Sequence, residues 1–161
     1  MQIVAADQTV ERSVVEAFYQ AYSERDIARI AQFLDDDVAW TISGPVDILP
    51  FCGRRVGKAA VMKLLDRDTP AILSGRRFVV NAMLVDGDRA AILGRMTATK
   101  SDDGHAISYR IAHFIRFRGE KVIEYVSIID SFDAVEQVLG HRISLAPDAE
   151  PPVDAGEVVA V

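Results

Sequence analysis

The chain has a single cysteine, Cys52, among its 161 residues. One cysteine excludes an internal disulfide and a cysteine-rich zinc site. The sequence also lacks any apolar run approaching the roughly 18 residues of a membrane-spanning helix. Its first residues carry no basic stretch, and their apolar run is too short for a secretory signal peptide. We therefore expect a cytoplasmic globular protein that has no membrane partner.

Positive charge is also scarce, with 18 basic against 24 acidic residues and a net charge of -6. Nucleic-acid binding depends on clustered Lys and Arg, and the basic pairs Arg54-Arg55 and Arg76-Arg77 are too sparse for it. We predict no nucleic-acid partner. The three histidines lack metal-ligand spacing, and no glycine-rich phosphate loop occurs, so we expect neither a metal nor a cofactor.

Hydrophobic residues, in contrast, make up half of the chain, which is enough for one sizeable core. We assign residues 1–145 to one domain. Residues 146–161 contain three prolines, four acids and no basic residue, which is typical of a linker or tail. The apolar end of this tail could dock on a neighbouring chain.

Helices are predicted in the first part of the domain. Apolar residues recur every three or four positions over residues 8–23, and Asp26 can cap a second helix over 27–34. The acidic run at 35–37 ends that helix. A short strand follows at 38–42, then a loop through residues 43–57, and a third helix over 58–66.

The second part of the domain predicts strands at 78–85, 89–99, 105–117 and 121–129, joined by tight turns, and a last helix at 131–139. Four consecutive strands of this kind form an antiparallel meander. We predict an α+β fold in which a curved, cone-shaped sheet wraps around the N-terminal helices. The mouth of such a cone is a natural pocket.

Several segments also carry a family resemblance. They are VVEAFY (14–19), DIARIAQF (26–33) followed by DDDVAW (35–40), PFCG (50–53), GKAAV (57–61), AHFIRF (112–117), KVIEY (121–125) and Asp130. Over residues 10–139 the chain resembles the nuclear transport factor 2-like superfamily, in particular its SnoaL-like branch of polyketide cyclase relatives. This fold hosts isomerases, cyclases, dehydratases, epoxide hydrolases and non-catalytic binders, so the fold alone does not choose between them.

The resemblance also implies positions where catalytic acids or a tyrosine stand in ketosteroid isomerases and limonene epoxide hydrolases. Here the corresponding residues are Phe18, Thr41, Ile111 or Ala112, Thr97 and Ser127. Only the arginine of the epoxide hydrolases is kept, as Arg95. Both steroid-type isomerisation and epoxide opening by an Asp-activated water are therefore disfavoured.

Strand alternation places His113 and Tyr109 on the more apolar face of one strand. In the functional interpretation, His113 moves a proton and Tyr109 polarises a substrate oxygen. In the structural interpretation, His113 is a core histidine bonded to a neighbouring hydroxyl or carbonyl. The sequence leaves both interpretations open.

Other candidates surround this pair. Asp130 is either a base paired with His113 or the N-cap of the last helix. Arg95 could bind an anionic oxygen if it points inward. The remaining candidates for substrate contacts are aromatic or hydroxylated: Trp40, Tyr125, Ser127 and Phe18.

We thus predict a small-molecule pocket protein for an apolar or aromatic, oxygenated ligand. Its activity would be that of a cofactor-free isomerase, cyclase or dehydratase. The alternative is a non-catalytic ligand- or protein-binding module of the same fold, which the missing carboxylates favour. We also expect a homodimer that packs through the sheet.

Overall fold

The structure, a computed structural model, describes residues 9–144, so the predicted tail lies outside the described residues. Helices precede most of the sheet, as predicted. The elements are α1 (Arg12–Glu24), α2 (Ile27–Phe33), β1 (Leu34–Ser43), β2 (Gly53–Val56), α3 (Lys58–Lys63), a π-helical turn (Leu64–Asp68), β3 (Leu73–Asp86), β4 (Arg89–Lys100), β5 (Ala106–Arg118), β6 (Lys121–Ile129) and α4 (Ser131–Leu139).

The six strands form one curved, unclosed sheet in the order β2-β1-β6-β5-β4-β3. Strands β3 to β6 pair antiparallel in sequence order, which confirms the predicted meander. Strand β1 pairs parallel with β6, and β2 pairs antiparallel with β1. The α+β class and the curved sheet with N-terminal helices are confirmed.

The largest departures from prediction lie around β1. The acidic run belongs to this strand because its carboxylates point to solvent, where Asp36 pairs with Lys58 at 2.8 Å. Strand β2 occupies part of the predicted loop, since Gly53 and its neighbours pair with the end of β1. A four-residue strand with two arginines carries too weak a pattern to be read from the sequence.

Strand β5 alternates between buried and exposed or half-buried side chains over its whole length, as predicted. Its buried face contacts the aromatic side of α1, where Phe18, Tyr19 and Tyr22 are buried. Strand β6 loses this alternation at one point. A bulge opposite Arg116 and Phe117 shifts the pairing, so that Val122 is buried and Ile123 is only half-buried.

Helix α4 is attached to the sheet by a side chain that imitates a strand. The Ser108 backbone N–H donates to Gln137 Oε1 at 2.7 Å, and Gln137 Nε2 donates to the Ser108 carbonyl at 2.8 Å. Strand β6 pairs with β5 only from Ile111 onward, so these backbone groups have no β6 partner. The amide of Gln137 satisfies them and holds α4 beside β5.

Gly94 on β4 makes room for an aromatic ring of the core. A Cβ atom at this position would lie 2.5 Å from Phe78 Cζ and 2.6 Å from the Val79 carbonyl oxygen. We expect Gly94→Ala to lower the free energy of unfolding by about 1–3 kcal/mol through overpacking. Urea denaturation measures the change. The control is Ala91→Gly, on the half-buried side of β4. Gly87→Ala is unsuitable as a control, because the positive φ of Gly87 would strain an alanine there. An unchanged midpoint for Gly94→Ala would contradict this close contact.

Candidate functional site

The concave side of the sheet encloses a cavity of about 30 Å³ between β4, β5, β6 and α1. This volume holds about one water molecule. Half of the residues that line it carry polar groups: Tyr22, Thr69, Arg76, Tyr109, Tyr125 and Ser127. The lining of the cavity therefore combines an apolar background with hydroxyl groups and one guanidinium, although its size is below that of ordinary ligand pockets.

Aromatic rings fill the space that the sequence predicts to be an open pocket. The Trp40 ring stacks on the Tyr125 ring with centroids 3.5 Å apart. Phe78 and Tyr125 flank the His113 ring at 4.8 and 4.9 Å. Helix α1 adds Phe18 over Tyr125, with a centroid distance of 6.4 Å. These rings form a packed layer beside the cavity and leave little empty volume.

His113 lies inside this layer and is not part of the cavity lining. Its side chain is fully buried, and its Nδ1 lies 2.7 Å from the Tyr19 hydroxyl. Burial, with a smaller contribution from the nearby charge of Arg25, lowers the pKa of His113 to about 3. At neutral pH the ring is therefore neutral, and it is a weak base in the position where the sequence suggests a proton carrier.

Five buried polar atoms have no hydrogen-bond partner among the described residues. One of them, Arg116 Nε, forms an ion pair with Glu124. The other four are Trp40 Nε1, His113 Nε2, the Tyr125 hydroxyl and Ser127 Oγ. Two of these, on Tyr125 and Ser127, belong to residues that line the cavity. Because a buried polar group without a partner destabilises a fold, these hydroxyls indicate a place for a polar ligand atom or a water molecule.

The tyrosines of the site are hydrogen-bond donors and not bases. Burial raises the pKa of Tyr109 and Tyr125 well above the ordinary value, with a smaller contribution from the neighbouring Tyr22. Their hydroxyls consequently stay protonated across the physiological pH range. No carboxylate or imidazole is among the described residues that line this cavity.

Two predicted site residues lie on the outer face of the sheet. Arg95 is exposed and donates a hydrogen bond to Ser108 Oγ at 3.1 Å, because the alternation of β4 buries its neighbour Met96. Asp130 pairs with the exposed Arg110 at 3.2 Å. Neither side chain lines the cavity, so Arg95 and Asp130 stand apart from it in this structure. Asp130 stands at the N-cap of α4, but its side chain makes no capping hydrogen bond.

The remaining six predicted residues are buried, and three of them line the cavity. Tyr109, Tyr125 and Ser127 contribute to its wall. The other three belong to the ring layer: Phe18, Trp40 and His113.

The family follows from a match along most of the chain. The sequence profile of the SnoaL-like domain matches residues 15–125, which include every cavity residue from α1 through Tyr125. The chain belongs to the SnoaL-like family. Among curated proteins, none matches the sequence significantly.

Solved structures similar to this SnoaL-like chain share its fold. A protein from Rhodopseudomonas palustris, named "Putative Isomerase", is 32% identical, with a TM-score of 0.69 over 79% of this chain and 93% of that one. TerC, co-crystallized with polyporic acid, is 24% identical, with a TM-score of 0.66 over 73% and 89%. An M. tuberculosis epoxide hydrolase is 16% identical, with a TM-score of 0.64 over 80% and 88%.

Three polar residues of the site in this SnoaL-like domain were not predicted as site residues. Tyr22 lies on the predicted apolar face of α1, and Tyr19 is buried beside that face. Arg76 stands out in the sequence only as part of a basic pair. Its position gives a weaker signal, because β3 begins at Leu73, five residues before the predicted strand.

Two further absences hold for the part of the SnoaL-like chain that the structure describes. Between residues 9 and 144 no three His, Cys, Asp or Glu side chains are grouped as metal ligands. Over the same residues no helix has the length and hydropathy needed to cross a bilayer.

The depressed pKa of His113 predicts loss of stability in acid. In the unfolded chain His113 binds a proton below its ordinary pKa of about 6.5, whereas in the folded chain it binds one only near pH 3. The free energy of unfolding is therefore unaffected by the titration of this group above pH 6.5. Below pH 6.5 it decreases by up to about 1.4 kcal/mol per pH unit.

Chemical denaturation between pH 7.5 and 4 tests this expectation. The His113→Gln variant should show a shallower decrease of the unfolding free energy than the wild type. His105→Gln, at an exposed turn histidine, should keep the wild-type slope. Equal slopes for all three proteins would show that His113 is not held neutral by burial.

Proposed function

We propose that this SnoaL-like domain binds a small, mainly apolar molecule with oxygen atoms inside the concave side of its sheet. The observation that supports this proposal is a pair of buried hydroxyls, on Tyr125 and Ser127, that lack hydrogen-bond partners among the described residues. Both lie in the wall of the small inner cavity. Tyr109 contributes a third hydroxyl to the same wall. Ketone, quinone and phenol oxygens accept hydrogen bonds from such groups.

Binding without catalysis is the form of this function that the site favours. Abstraction of a proton from carbon needs a positioned base with a pKa near the working pH. The cavity wall offers protonated phenols, a serine and an arginine, and the neighbouring His113 is neutral and weakly basic. These groups can orient an oxygen atom and stabilise negative charge on it, but none of them accepts a proton readily.

An isomerase, cyclase or dehydratase activity without a cofactor is the second candidate. The observation in its favour is the 32% identity to the Rhodopseudomonas palustris protein. In such a reaction Tyr109 would donate a hydrogen bond to the developing oxyanion, and His113 would act only after a change in its surroundings raised its basicity. TerC, whose ligand in the crystal is polyporic acid, shares the fold and supports a planar oxygenated ligand class.

Removal of one hydroxyl separates a binding role from a packing role. We expect Ser127→Ala to leave the free energy of unfolding unchanged or to raise it by up to roughly 1 kcal/mol, because it removes an unpartnered buried group. The same change should weaken binding of a hydroxynaphthoquinone about tenfold, measured by isothermal titration calorimetry. Thr99→Val, on the outer face of β4, is the control and should change neither quantity.

A turnover screen then distinguishes the two candidates. Wild-type protein is incubated with the molecules that bind, and products are followed by mass spectrometry. Binding without product formation supports the binding module. Product formation that falls in Tyr109→Phe, with an unchanged dissociation constant, supports the enzyme.

We also propose that the outer face of the sheet binds a second copy of the chain. Its centre is an exposed apolar patch formed by Leu93, Phe114 and Ile128, each about half exposed. A groove of about 480 Å³ adjoins Phe114. Patches of this kind mark interaction surfaces.

Charge on the rim favours a copy of the same surface as the occupant. One end of the patch carries the Arg116–Glu124 pair and the other the Arg110–Asp130 pair. Each end of the patch thus carries one positive and one negative side chain. A two-fold arrangement can therefore place each arginine near an acid of the other copy.

A charge introduced into this patch should separate the copies. We expect the wild type to be a dimer in light scattering and Phe114→Glu to be a monomer, because a carboxylate would be buried in the contact. Val46→Glu is the matched control, since Val46 is 51% exposed in the loop between β1 and β2 and lines neither groove at the patch. A monomeric wild type, or equal dissociation by both variants, would contradict this interface.

A further inference from the structure

Arg76 lies between two spaces that the fold keeps apart. It lines the inner cavity, and it also lines a surface groove of about 310 Å³. Leu65 is the other residue shared by both linings, and its carbonyl accepts a hydrogen bond from Arg76 Nη2 at 2.9 Å. The two side chains therefore form a partition, and a movement of the flexible arginine would join the cavity to the groove.

The charge of Arg76 has no counterion among the described residues. None of the ion pairs among the described residues includes Arg76. The guanidinium of Arg25 is a neighbouring positive charge that acts on it. Arg25 is itself held by neutral groups, with hydrogen bonds to the Arg76 carbonyl at 3.3 Å and to Met96 Sδ at 3.5 Å. It also lies over the Tyr22 ring, 4.8 Å from the centroid.

Arg76 and Arg25 are neighbouring cations, and neither belongs to an ion pair among the described residues. Burial and the charge of Arg25 together lower the pKa of Arg76 to about 10. A charge held away from water is destabilising unless an opposite charge and hydrogen bonds compensate it. An anion bound to Arg76 would supply that compensation.

The distribution of acids indicates on which side the anion lies. Asp66 lines the surface groove together with Arg25 and Arg76. The lining of the inner cavity contains Tyr22 and Tyr109 beside Arg76 and no acid among the described residues. An anionic group is therefore repelled by Asp66 in the groove and favoured on the cavity side, where phenol hydroxyls add hydrogen bonds.

We propose that the ligand of this domain is a planar aromatic molecule with one anionic oxygen group, a carboxylate or an enolate, and that Arg76 is its anchor. This inference rests on the proposed binding function and narrows it to a substrate class. The anion binds Arg76 on the cavity side, and the aromatic body occupies the cavity after Arg76 and Leu65 move apart. The hydroxyls of Tyr125 and Ser127 bind oxygen atoms at the far end.

The test compares matched acids and amides. The probes are benzoate against benzamide and 2-naphthoate against 2-naphthamide, with dissociation constants from NMR titration of the full chain. At least one acid should bind the wild type ten times more tightly than its amide, because a charge-assisted hydrogen bond replaces a neutral one. Arg76→Gln should abolish this preference. Arg77→Gln, at the exposed neighbouring residue on β3, should keep it.

Thermal stability gives a readout that needs no ligand. Arg76→Gln should melt at the same temperature as the wild type or higher, because it removes an uncompensated charge. A lower melting temperature together with an unchanged acid preference would show that Arg76 only supports the turn at Leu65, and it would overturn the proposal. Equal binding of acids and amides to the wild type would also overturn it while leaving the binding function intact. Failure of all four probes to bind would contradict both.

Discussion

The packing of the α1 aromatic face against the concave side of the sheet is the contact on which the site depends. Tyr19 binds His113 at 2.7 Å, and the rings of Phe78 and Tyr125 enclose the imidazole. This layer aligns the inward residues of β5 and β6 with the helix. It also excludes water, and that exclusion makes the imidazole a weak base and keeps the phenols protonated. One packing arrangement therefore determines both the fold and the hydrogen-bonding character of the interior.

Regular patterns made much of this structure predictable. The alternation of β5 identified His113 and Tyr109 as inward residues, and the turn signals located the four-strand meander. Prediction failed where a residue's partner is distant in sequence. Strand β2 exists only through pairing with β1, and the bulge of β6 depends on β5. No local pattern records either contact.

The limits for the site have a related cause. Alternation gives the face on which a side chain lies but not the volume left between facing side chains. His113 was expected beside an open pocket, yet stacked rings occupy that space and the cavity holds about 30 Å³. The sequence left open whether Arg95 points inward, and the arginine at the cavity is Arg76, on a different strand. A single sequence shows that an arginine is present, but not which arginine lines the cavity.

The same interior features that point to a ligand also weaken the unliganded fold. The hydroxyls of Tyr125 and Ser127 are buried without a hydrogen-bond partner, and the half-buried Arg76 belongs to no ion pair among the described residues. A core selected for stability alone would replace them with apolar side chains of similar volume, since such replacements are often neutral or stabilising. All three are concentrated around one small cavity, and the carboxylates implied by the family resemblance are missing from its wall. An interior that offers donors and positive charge but no base is suited to holding an oxygen-rich anion in a fixed position, and much less suited to removing a proton from it.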